Sequence, residues 1–229
     1  MTTRPTSCAL LALLVTPCAA AQMDHAAHGG HGMDEDPVIT LWLVDRLETG
    51  RMAGEAWGSW DAKLWWGTDH NRWQLRSEGH DAGTAHAGDA TWEAAWLRPV
   101  SPWMQLSLGA VRDVRGTVAR NGVSAGFSGV LPYRVAVQGA VWMVEGGRAA
   151  LRLELEQDWL LTQRWILQPR LESRLWSNGP YSADLGLRLR YEFAREFAPY
   201  VGITRTLGHD AVKVSPTDTQ VLAGLRFWF

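Results

Sequence analysis

Residues 23–34 read MDHAAHGGHGMD, and no other stretch of the chain is so rich in metal-ligating side chains. His25, His28 and His31 recur at every third position, Met23 and Met33 flank them, and Asp24 and Asp34 add attraction for cations. Imidazole suits Cu(II) and thioether sulfur selects Cu(I), so this donor set can follow copper between oxidation states. The same ligand types also accept Zn(II) and Ni(II). Alanine and glycine between the donors leave the backbone free to converge on one ion, but ordering it costs entropy, so modest affinity is expected. A polar leader with accidental histidines is the plainer reading. Three of the seven histidines within seven residues argue against it. A second, weaker candidate is an external loop over 79–88, where His80 and His86 accompany Asp81 and Asp89; a solvated loop without metal is the alternative there. His70 and His209 read as incidental.

These donors stand between a leader and a long patterned region. Residues 1–21 have the form of a secretory signal: Arg4 as the basic part, CALLALLVTPC as a short apolar run, and Ala19-Ala20-Ala21 before the cut. Cleavage before Gln22 removes Cys8 and Cys18, the two cysteines, so the mature chain uses neither disulfides nor thiol chemistry. The remaining charge is slightly acidic and gives no reason to expect a nucleic-acid partner. Residues 22–36 are expected to be a disordered arm, and 37–229 one domain.

The period of that domain is two. In ALRLELEQD (150–158), Leu151, Leu153 and Leu155 alternate with Arg152, Glu154, Glu156 and Asp158. RWILQPRLESRLW (164–176) and ADLGLRLRYEF (183–193) repeat the pattern, the latter with Asp184, Arg188, Arg190 and Glu192 on the polar side. Such alternation means strands; a helix would scatter the charges around its circumference. Twelve segments are predicted, near 38–48, 54–66, 70–78, 89–98, 103–113, 122–131, 133–144, 148–158, 164–176, 183–194, 197–205 and 218–229. Each is about the length that crosses a bilayer at a tilt.

A soluble sandwich would also alternate, but its wet face is polar and commonly carries lysine, threonine and serine. Here lysine is confined to Lys63 and Lys213, and the polar face is Arg, Glu, Gln and Gly. Trp and Tyr cluster toward strand ends, where membrane girdles lie. Connections alternate between short (PVSP, LPY, LLTQ, REF) and long (EGHDAGTAHAG, DVRGTVARNG, WSNGPYS, GHDAVKVSPTD). The chain closes on VLAGLRFWF, whose aromatic end resembles the signal read by the outer-membrane assembly machinery. The expected fold is therefore an all-β, transmembrane antiparallel β-barrel in contact with outer-membrane lipid, its N-terminus periplasmic.

Inside such a barrel the polar faces form a charge ladder: Arg152, Glu154, Glu156, Arg170, Glu172, Arg188 and Glu192. A turn near residue 162 would set Glu154 opposite Arg170 and Arg152 opposite Glu172, each pair worth a few tenths to about 1 kcal/mol. The ladder either braces a narrow lumen or lines a path for cations. Met104 and Met143 fall on apolar faces and are expected to meet lipid. No G-x-S-x-G elbow, HExxH motif or Gly-rich phosphate loop occurs, and Ser77 near His80 makes no triad, so no enzyme is expected.

EGGRAALRLELEQDWLLTQRWILQPRLESRLW (145–176), LGLRLRYEFAREFAPYVGITRTLG (185–208) and QVLAGLRFWF (220–229) resemble the outer-membrane copper-resistance protein B family, as do DRLET (45–49) and NRWQLRSEGH (71–80). The resemblance implies an outer-membrane barrel that serves copper resistance through sequestration or export, with a periplasmic copper protein or oxidase as partner. Members of that family commonly carry a long Met-Asp-His front segment; this chain has one short version. A general narrow channel or structural barrel with an incidental arm is the competing reading.

Overall fold

The computed structural model describes residues 37–52, 55–81, 88–179, 181–209 and 217–229. The signal, the arm with Met23, Asp24, His25, His28, His31 and Met33, and His86 lie outside the described residues.

Twelve antiparallel strands follow one another around a ring: β1 (Ile39–Met52), β2 (Glu55–Gly67), β3 (Arg72–Asp81), β4 (Asp89–Ser101), β5 (Met104–Arg115), β6 (Val118–Leu131), β7 (Val135–Val144), β8 (Arg148–Gln157), β9 (Trp165–Trp176), β10 (Tyr181–Tyr191), β11 (Phe197–His209) and β12 (Thr217–Trp228). Two further residues, Trp159–Leu160, prolong β8 and pair with Leu167 and Ile166 of β9. β12 pairs back onto β1, from Leu43↔Trp228 to Arg51↔Val221, which closes the ring. Closure leaves no unpaired edge, the condition for strands to cross a bilayer.

The alternation has its sense inverted relative to a soluble protein. On β8, Arg152 and Glu154 are 2% and 4% exposed, whereas Leu151 and Leu153 are 48% and 37% exposed. Leu106, Leu108, Val123, Val141, Leu185, Val201, Ile203 and Val221 continue this apolar outer surface around the ring, and Met143 stands on it. Aqueous solvent would oppose such a surface; hydrocarbon accepts it.

Four glycines sit directly opposite aromatic residues across a strand pair: Gly50↔Trp57, Gly79↔Trp60, Gly139↔Phe127 and Gly224↔Tyr200. Each ring lies where the glycine's Cβ would be, within 2.2–2.7 Å of that point. The ring thereby covers backbone that glycine leaves bare, as edge glycines are covered in designed sheets.

The strand count matches the sequence expectation, but several strands run longer, β3 to Asp81, β4 to Ser101 and β11 to His209 against expected ends near 78, 98 and 205. β1 runs on to Met52, and β6 starts at Val118 rather than near 122. DVRGTVARNG is thus no long loop: Arg115 pairs Val118 around Gly116, whose φ of 58° makes a tight hairpin.

Candidate functional site: the lumen waist

β1 breaks its own alternation. Val44 pairs Ala62 and Arg46 pairs Asp61, leaving Asp45 as an extra residue on β1. Such a bulge turns two consecutive side chains to one face. Asp45 and Arg46 both reach the lumen: Asp45 meets Arg226 at 3.2 Å and Lys63 at 3.9 Å, while Arg46 meets Asp61 at 3.0 Å and Glu172 at 3.5 Å.

β2 and β3 contribute Asp61, Lys63, Arg76 and Glu78. Asp61 is fully buried and accepts two hydrogen bonds from Arg76, Nε to Oδ1 at 3.0 Å and Nη2 to Oδ2 at 2.6 Å. On the far wall, Arg170 of β9 reaches Glu154 at 2.5 Å, Glu172 at 2.8 Å and Glu156 at 3.0 Å. Arg152 of β8 reaches Glu154 at 2.8 Å and Glu172 at 3.2 Å. Pairing of this kind is what allows charges to be held away from water.

Several contacts cross the bore. Glu78 on β3 takes Arg152 of β8 at 2.7 Å and Arg174 of β9 at 2.8 Å; β3 and β9 are six strands apart on a ring of twelve. Arg76 approaches Glu154 at 3.8 Å, and Lys63 of β2 donates to Gln138 of β7 at 3.5 Å. At this height the two walls touch through their side chains.

On the side of the waist away from the chain termini, Val111, Trp142, Val144, Ala150 and Trp176 form an apolar cluster inside the barrel. Arg115 and Arg148 lie 4.4 and 4.9 Å from the Trp176 ring centroid, and Arg174 lies 5.3 Å from that of Trp142. Cations stacked on indole faces are attracted by the ring quadrupole. Nearer the wall between β10 and β1, Glu48 accepts from Arg188 Nε at 2.7 Å and from the Tyr200 hydroxyl at 3.0 Å.

The structure brings Arg152, Glu154, Glu156, Arg170 and Glu172 together, and places Arg188 in the same lumen. Three expectations are corrected. The hairpin between β8 and β9 turns about Gln163, not 162, because Thr162 Oγ1 accepts from the backbone of Arg164 and Trp165 at 3.2 and 2.9 Å. One residue of shift moves the register by two, so Glu172 faces Glu154, Arg174 faces Arg152 and Arg170 faces Glu156. Glu192 lies beyond the end of β10, 3.9 Å from Arg190, at the rim rather than in the ladder. His80 lies in β3 and not in a loop, opposite Ser59 and Asp89, with its ring centroid 5.5 Å from that of Trp57.

Sequence reasoning missed Asp45, Arg46, Asp61, Lys63, Arg76, Glu78 and Arg226. The signal was present for β3, where Gln74, Arg76, Glu78 and His80 alternate like the later strands. For Asp45 and Arg46 it was not, since a bulge interrupts the period.

Carboxylate oxygens of Asp45, Glu154 and Glu156 lie within 4.8 Å of one another. These are hard donors, suited to Mg²⁺, Ca²⁺ or Mn²⁺ rather than Cu(I). Their guanidinium and ammonium neighbours already balance them. The soft donors Met104 and Met143 lie on the outer face.

Residues 38–229 match the model of the family described as copper resistance protein B precursor (CopB). The chain belongs to the copper resistance protein B family. Copper resistance protein B of Escherichia coli is 37% identical over 217 residues, covering 87% of this chain and 73% of that protein. A copper resistance protein B homolog of Pseudomonas syringae pv. tomato is 30% identical over 221 residues, covering 90% and 75%. Among solved structures, the KdgM porin aligns with a TM-score of 0.53 at 13% identity, covering 83% of this chain and 99% of that one. The NanC porin aligns at 0.55 and 10% identity, covering 80% and 98%. At those identities the porins share the fold alone: this member of the family is an outer-membrane barrel, with a surface suited to lipid.

Proposed function

We propose that this chain is a non-enzymatic outer-membrane barrel that binds copper through its His/Met-rich arm and aids sequestration or export of the metal. In this reading residues 1–21 are a removed signal and residues 22–36 extend into the periplasm. Met23, Asp24, His25, His28, His31 and Met33 then supply the copper ligands, and a periplasmic copper protein or oxidase exchanges metal with them. The observation that carries the proposal is the juxtaposition of that donor set with a barrel of the copper-resistance family beginning at residue 38. Copper is the cargo; imidazole and thioether together hold both of its oxidation states.

The described barrel lumen supports assigning the ligands to the arm. Its waist offers guanidinium and carboxylate groups already paired with each other, and the imidazole of His80 lies next to Trp57 near the end of β3. His80 with His86 remains the second candidate site, now based on a strand residue rather than a loop. A general channel is the competing reading, and the wall-to-wall ion pairs at the waist speak against free diffusion of solutes.

The test is titration of the refolded mature protein with Cu(II) and Cu(I), beside a copy lacking residues 22–36. Binding that disappears with the arm supports the assignment. Binding that persists at equal strength moves the ligands into the barrel and overturns it. No binding to either protein overturns direct copper binding by this chain.

A further inference from the structure

We propose that Glu78 is the latch of a closed gate at the lumen waist, and that losing its charge opens the barrel to anions. The inference stands on the barrel alone and is independent of where copper binds.

Glu78 has an uncommon position. Its Oε1 meets Arg174 Nη2 at 2.8 Å, and its Oε2 meets Arg152 Nη1 at 2.7 Å and Arg76 Nη2 at 3.1 Å. Three guanidiniums from three strands share one carboxylate. Three ion pairs seen among the described residues tie β3 to the far wall, Glu78–Arg152, Glu78–Arg174 and the longer Arg76–Glu154 at 3.8 Å, and the two short ones both run through this side chain.

The arginines differ in what they keep without it. Arg76 retains Asp61 at 2.6 Å, and Arg152 retains Glu154 at 2.8 Å. Both remain tethered to their own walls, so the barrel's framework does not depend on Glu78. Arg174 keeps, as its ion pair among the described residues, a longer contact with Glu172 at 3.5 Å. It is also the most exposed of the three, at 22%, and lies against Trp142 on the side leading away from the termini. Directly across the strand pair it faces Arg152, a like charge that repels it. Without Glu78, Arg174 is pushed off the waist, the diametric strap is gone, and the bore gains net positive charge. Charged side chains around a constriction set the sign of the ion that passes.

The experiment is conductance of the full mature protein in planar lipid bilayers, for wild type, Glu78→Gln and Arg174→Gln. Folding of each is checked by its heat-modifiable mobility on gels. Wild type is expected to stay closed. Glu78→Gln should raise conductance about tenfold, with the reversal potential in a salt gradient shifted toward that of chloride. Arg174→Gln removes one of the two short straps and leaves Glu78 tied to Arg152, so it should open the bore less than Glu78→Gln does, and with weaker anion preference. If only one variant folds, that one suffices, since each predicts opening. A wild type that already conducts like Glu78→Gln overturns the gate. Folded variants as closed as the wild type overturn the latch, and so does opening of Glu78→Gln with cation preference.

Discussion

Arg152 of β8 and Arg174 of β9 stand directly opposite one another, like charge against like charge, and both point their guanidiniums at Glu78 on the far side of the barrel. Glu154 and Glu172, the next inward pair, repeat the arrangement with the sign reversed. On these two rungs the neighbouring strands do not neutralise each other, whereas on the next Arg170 faces Glu156. Counter-charges arrive along each strand, Arg152 to Glu154 and Arg170 to Glu172, and diagonally between the strands, Arg170 to Glu154 and Arg152 to Glu172. Others arrive across the bore, from Glu78, Arg76 and Arg46. The lumen charges act as one lattice, and substitutions within it will not add.

Arg170 gives the sharpest stability test. It meets Glu154, Glu156 and Glu172 within 3.0 Å and is 5% exposed. Arg170→Met leaves three carboxylates short of a partner and should cost about 3–5 kcal/mol in urea unfolding from lipid vesicles. Adding Glu154→Gln to that variant should recover part of the loss. Simple addition of the two single losses would show that the charges act separately.

The Gly139–Phe127 pair makes a prediction on the lipid face. A Cβ at residue 139 would lie 2.5 Å from the Phe127 ring. Gly139→Ala should destabilise the barrel by about 1–3 kcal/mol, and less in a background of Phe127→Ala, where the ring is gone. Equal losses in the two backgrounds would mean the ring does not cover that glycine.

Deleting Asp45 removes the bulge. Val44 and Arg46 then become neighbours, and β1 pairs both adjacent strands in one unbroken register with its other side chains on their present faces. What is lost is the carboxylate that meets Arg226 and Lys63. The barrel should still assemble, with its heat-modifiable band retained and its stability in urea lowered by about 1–3 kcal/mol. Loss of the band would show that the bulge itself is needed for assembly.

The metal assignment separates two sets of histidines. Replacing His25, His28 and His31 by alanine should abolish most copper binding measured by equilibrium dialysis. His80→Gln should leave stoichiometry unchanged. His80 lies against Trp57, so copper bound there would quench tryptophan fluorescence; quenching that vanishes in His80→Gln would place metal at the strand site.

The amino-acid pattern determined the class of fold, the strand count and which faces are charged. In β8 to β10, a period of two with Leu on one side and Arg or Glu on the other survives in any register, because pleating assigns faces locally. Partners across a strand pair are a different matter. They depended on Thr162, whose hydroxyl placed the turn one residue later and exchanged opposite-charge rungs for like-charge ones. The bulge at Asp45–Arg46 was invisible for a related reason: it appears only where two strands must pair with one residue in excess. The meeting of Glu78 with Arg174 lay further still from the sequence. It joins residues 96 positions apart, and only closure of twelve strands brings opposite walls of the ring within reach of two side chains.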